Sequence, residues 1–154
     1  MQPNEIQAAL GSAVEEVLET MCFTGVLTSS PGAAPRSARD CPGWTAELHF
    51  GGHGSGRFRL SIPTNVAQLL GSAFLGREET EVTEEEAREV VCELANMMCG
   101  SVLSRVETKA SFQLTHPEVT SLEPGGSLAG PAANRWFNLG GGIFAVSLEI
   151  QQVS

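Results

Sequence analysis

Basic charge is scarce in this chain. Only 9 of its 154 residues are Lys or Arg, against 18 Asp or Glu, so the formal net charge is −9. A surface of that sign repels phosphate backbones and excludes nucleic acid as the expected partner. Long apolar runs are missing as well. None approaches the roughly 20 residues that cross a bilayer. The opening stretch MQPNEIQAALGSAVEEVL carries acids where a secretory leader needs a basic segment. The expectation is a cytoplasmic protein with no membrane association. CxxC pairs are absent. The four cysteines stand at 22, 41, 92 and 99, which signals neither a zinc ribbon nor a redox pair. Cys92 and Cys99 on one helix would be about 10.5 Å apart, beyond the roughly 7 Å that a disulfide spans. All four read as reduced thiols. His49 and His53 have metal-like spacing, but no third ligand type lies nearby, so no metal site is expected. GGHGSG (51–56) is neither GxxxxGK[ST] nor part of a strand–GxGxxG–helix unit, so it is no nucleotide loop.

What is present is apolar patterning. Hydrophobic residues make up 42% of the chain, enough for one domain spanning 1–154 to build a core without staples. Residues 5–21 repeat apolar side chains at helical spacing: Ile6, Leu10, Ala13, Val14, Val17, Leu18 and Met21 form one stripe. Residues 31–43, rich in Pro and Gly, read as a loop. WTAELHF (44–50) and RFRLSIP (57–63) alternate apolar and polar residues, which predicts an antiparallel hairpin turned by the glycines between them. A short helix is predicted over 64–75. A strand is predicted over 111–122 around Pro117, and a loop over 123–134. A second hairpin follows, centred on Gly140–Gly142. No regular βαβ alternation is visible, so the expected class is α+β: a largely antiparallel sheet with long helices packed on one face.

The longest predicted helix starts at Thr83, where Thr83 and Glu86 make a T-x-x-E capping box, and runs to about Glu107. Ala87, Val91, Leu94, Met98 and Val102 fall within roughly 40° of one direction on a helical wheel. Glu89, Glu93, Asn96 and Gly100 fall within roughly 30° of the opposite direction. Outer faces are ordinarily polar, but Asn and Gly are poor helix formers, Gly by up to about 1 kcal/mol. Neither residue is near a helix end, where capping would explain it. Gly100 would let another molecule approach Asn96 closely. Seven glutamates lie between Glu78 and Glu89. They suit the positive end of the helix macrodipole, or they form a patch that attracts a partner with exposed lysines.

EVVCELANMMCGSVLSRVE (89–107) resembles the signature helix of the CheC/CheX family of chemotaxis phosphatases. The family's E-x-x-N motif is matched by Glu93 and Asn96. The run from Asn96 to Gly100, AVEEVLETM (13–21) and SFQLTHPEV (111–119) are similar to the CheX-like branch. CheC-type proteins usually carry two such helices, and this chain has a single E-x-x-N. Glu89 stands where the family's longer pattern has Asp or Ser, and Pro117 follows Asn96 after twenty intervening residues, slightly fewer than the family spacing. The resemblance implies a phosphatase acting on the phospho-aspartate of a CheY-like response regulator. Asn96 would orient the attacking water and Glu93 would meet a lysine of the partner, with Glu89 and Gly100 in the partner-binding face. It implies a homodimer, no cofactor or metal of its own, and Mg²⁺ on the partner. The alternative is a non-catalytic module of the same fold that docks receiver domains or flagellar and chemotaxis proteins.

Overall fold

The computed structural model describes residues 3–35, 41–52, 54–106, 111–121 and 133–151. In chain order the elements are α1 (Pro3–Cys22), β1 (Thr28–Pro31), β2 (Gly43–Gly52), β3 (Ser55–Pro63), α2 (Thr64–Leu75), α3 (Glu84–Val106), β4 (Phe112–Leu114), β5 (Glu118–Ser121), β6 (Ala133–Asn138) and β7 (Ile143–Gln151). One 3-10 turn, Glu79–Glu81, precedes α3. The fold is α+β, with a seven-stranded antiparallel sheet in the order β1-β6-β7-β3-β2-β4 and β5 also paired to β2.

Period-two alternation sets the two faces of the sheet. Trp44, Ala46, Leu48 and Phe50 of β2 are buried with Phe58, Leu60 and Ile62 of β3. Their alternates, Thr45, Glu47 and His49 with Arg57, Arg59 and Ser61, are half-buried or exposed. There Arg59 Nε donates to Glu47 at 2.5 Å and Arg57 pairs with Glu149 at 2.7 Å. All three helices pack against the apolar face and against one another. The expected stripe of α1 is its inner side: Leu10, Ala13, Val14, Val17 and Leu18 are buried, and Ile6 and Met21 pack partly against them. α2 occupies the expected residues and ends at Gly76, whose φ of 67° is the left-handed position that glycine takes without strain.

The structure departs from the expected pattern in four places, the simplest being that Ala133 and Asn134, expected in the 123–134 loop, open β6 through pairing with β7. GGHGSG is not a long turn: Gly51 and Gly52 belong to β2, and Ser55 and Gly56 belong to β3. Gly56 is required by close packing, since a Cβ there would lie 2.0 Å from the Glu149 carbonyl oxygen. The strand predicted over 111–122 is two, β4 and β5, both paired with β2 and separated at Thr115–Pro117. Pro117 cannot donate to a ladder, which accounts for the break. Finally, Thr28–Pro31 forms an edge strand on β6, so the loop expected from residue 31 begins later. His53, Glu107, Leu122 and, of the expected loops, residues 36–40 and 123–132 lie outside the described residues. No helix among the described residues is long and apolar enough to cross a membrane.

Candidate functional site

α3 begins with the capping box. Glu86 N–H donates to Thr83 Oγ1 at 3.1 Å, and Thr83 N–H donates to the Glu86 carboxylate at 3.1 Å. Arg77 adds an ion pair to Glu86 at 2.6 Å. The Thr83 backbone N–H and the Arg77 guanidinium together hold the Glu86 carboxyl below its ordinary value. From there the helix is gripped by α1, α2 and the strands beneath it. Ala87, Val91, Leu94, Met98 and Val102 are all fully buried, as the wheel predicts. Val90, Ala95, Cys99 and Leu103 are buried as well, so the inner side is broader than a single stripe. Each fully buried Leu or Met contributes about 1.5–3 kcal/mol relative to exposure, which fixes the helix as a rigid support. Its far end is tied to α1 by an ion pair between Arg105 and Glu16.

A narrow outer stripe remains. Glu89, Glu93 and Asn96 are all exposed, and Gly100 continues their line half-buried. Among the described residues neither Glu93 nor Asn96 makes a side-chain hydrogen bond or ion pair. A Cβ built on Gly100 would meet nothing within 4 Å. The space beside Asn96 is open, and the Gly100 carbonyl accepts from Ser104 Oγ at 2.9 Å. The structure therefore brings all four expected residues onto one accessible line.

Two residues flank the line. Met97 packs partly into the core. On the other flank, the half-buried Cys92 Sγ lies 4.0 Å from the Pro117 carbonyl oxygen. Burial raises the Cys92 thiol's pKa. The Glu93 and Glu89 carboxylates push it the same way, and Arg88 opposes them. Pro117 is itself buried. Pro117, at the end of the segment Thr115–Pro117, thus walls the stripe at Cys92, a part that sequence reasoning did not assign. The proline's spacing after Asn96 was its one signal.

The arrangement limits the chemistry. Among the described residues no group of three or more His, Cys, Asp or Glu could hold a metal ion. Cavities of about 330 Å³, near His49 and Arg57, and about 470 Å³, near Trp44 and Gln68, contain neither Glu93 nor Asn96. A carboxamide on an exposed helix face offers one acceptor and two donors. Such a group can orient a water or another polar group placed beside it.

Comparison with known proteins agrees with this architecture. The family described as chemotaxis phosphatase CheX matches residues 44–130, more than half of the chain. No curated protein sequence matches it. Among solved structures, the chain is similar to CheX from Vibrio vulnificus, with a TM-score of 0.74 at 18% identity, covering 98% of this chain and 99% of that one. It is also similar to a chain of the CheX–CheY–BeF3–Mg²⁺ complex from Borrelia burgdorferi, with a TM-score of 0.72 at 20% identity, covering 94% and 97%. The FliM middle domain from Vibrio alginolyticus is more distant, with a TM-score of 0.57 at 13% identity, covering 97% and 92%. At these identities the structural likeness shows a shared fold.

Proposed function

This chain belongs to the chemotaxis phosphatase CheX family, and on that premise we propose that it hydrolyses the phospho-aspartate of a CheY-like response regulator. The observation that carries the reading is the outer stripe of α3. Its carboxylate and carboxamide are one turn apart, exposed and unengaged among the described residues, beside a glycine with free space. The partner in the similar Borrelia complex, CheY with BeF3 and Mg²⁺, supports a receiver domain as the occupant.

In this reading the receiver brings its own aspartyl phosphate and Mg²⁺, and the chain needs no cofactor. An acyl phosphate is already activated. The remaining task is to hold water in line with the bond to be broken. Asn96 inserts beside the phosphoryl group, where its carbonyl accepts from the water and its NH₂ donates. The water oxygen bonds to phosphorus, the P–O bond to the aspartate breaks, and the carboxylate and inorganic phosphate are released. Glu93, one turn earlier, meets a lysine of the receiver and sets the register. Glu89 extends the negative face toward the same rim, and Gly100 keeps the approach clear.

Residues 1–154 act as one such domain, and two copies associate. Phosphate release from a phosphorylated receiver, compared between the wild type and Asn96→Ala, tests the reading. Binding without release would select the docking module instead.

A further inference from the structure

The wall beside the stripe has a feature that the E-x-x-N helix does not explain. Thr115–Pro117 is not a slack connection. Thr115 N–H donates to the His49 carbonyl at 2.8 Å, and its Oγ1 accepts from His49 N–H at 2.9 Å, so one end is pinned to β2. The other end is pinned by Pro117, buried with its carbonyl 4.0 Å from Cys92 Sγ. Cys92 lies three residues after Glu89 and four before Asn96, so all three share one side of α3. The segment therefore meets α3 at Cys92, on the side of the helix that carries Glu89 and Asn96. Between its anchors stands His116, exposed, with no side-chain hydrogen bond or ion pair among the described residues.

We infer that His116 is a second docking contact for the receiver, which makes the interface a two-part footprint of α3 and the β4–β5 corner. The inference rests on the docking reading of α3. An imidazole on a backbone held at both neighbours loses little freedom on binding. It also offers one ring N–H donor and one ring nitrogen acceptor to a partner's loop. Because His116 stands on the β4–β5 connection and not on the α3 line with Asn96, it acts on association and not on the water. It is a positioning residue that sets which receivers seat well.

The test uses the full chain with His116→Ala and His116→Gln. Each protein is titrated into CheY loaded with BeF3 and Mg²⁺, and phosphate release from phospho-CheY is timed. His116→Ala should raise Kd and KM about fivefold while kcat and Tm hold. His116→Gln should recover part of the loss, since a carboxamide keeps a donor and an acceptor. Wild-type Kd and KM in His116→Ala would overturn the inference and leave the α3 reading standing. A fall in kcat alone, or a fall in Tm that accompanies the loss of affinity, would also overturn it. Failure of the wild-type chain to bind loaded CheY would overturn the α3 reading, and this inference with it.

Discussion

Gly100→Ala separates what the helix wants from what a partner wants. A glycine inside a helix costs about 0.8–1.0 kcal/mol relative to alanine. Nothing lies within 4 Å of the Cβ that would be added, so no packing cost offsets the gain. The variant should be more stable by about 1 kcal/mol, which for a chain of this size raises Tm by roughly 2–4 °C. If Gly100 faces the receiver at close approach, the same methyl group intrudes on a packed interface, where overpacking costs about 1–3 kcal/mol. At about tenfold per 1.4 kcal/mol, affinity should fall by roughly 5- to 140-fold. Calorimetric melting and titration against CheY loaded with BeF3 and Mg²⁺ read the two effects separately. A stabilised variant with wild-type affinity would refute a partner-facing role for Gly100. A destabilised variant would refute the open-space argument itself.

The remaining predictions concern charge and assembly. Glu86 has its carboxyl held below the ordinary value of 4.5, through the Thr83 backbone and Arg77. Its contribution is therefore fully present above pH 4.5 and is lost as pH falls below that value. Acid unfolding of Glu86→Gln should show a shallower decline through that window than the wild type. If Glu89 and Glu93 meet a basic rim, receiver affinity should fall as salt rises, because the Debye length shrinks to about 3 Å at 1 M. Constant affinity from low to high salt would count against that rim. β1 pairs on one side with β6 and is otherwise an edge, and such edges tend to be covered. Light scattering at micromolar concentration should give the mass of a dimer, and a monomer mass would rule it out.

Elements whose own side chains dictate them were legible before any coordinates. α2 follows from its apolar residues, α3 from its capping box and wheel, and the pairing of β2 with β3 as a hairpin from strict alternation. β1 was not legible because Thr28, Ser29, Ser30 and Pro31 have no apolar pattern. Their strand exists only through pairing with Asn138, Phe137, Trp136 and Arg135, a long-range fact. The glycines of 51–56 misled in the opposite direction. They look like turn residues, yet Gly56 serves a strand in which any side chain would strike the Glu149 carbonyl and Phe50. At the site, Glu89, Glu93, Asn96 and Gly100 could be aligned from helical period alone. The wall at Thr115–Pro117 could not, because it reaches α3 through tertiary packing of a break between two strands. Nor could helical period alone separate a functional stripe from a merely solvated one. Unengaged side chains and open space at Gly100 are visible only in three dimensions, and since a solvated stripe would share them, it is the variant assays that separate the two.

The central claim is that Asn96 holds the hydrolytic water. Its most direct test is a phosphate-release time course from a phosphorylated CheY-like receiver with wild type, Asn96→Ala and Glu93→Ala, each checked by thermal melting. Asn96 is exposed and Ala is the better helix former, so Asn96→Ala should fold at least as stably as wild type and still bind. It should lose most of the catalysed release, since water positioning is worth several kcal/mol. Glu93→Ala should lose both binding and turnover. Release by Asn96→Ala at the wild-type rate would contradict the account.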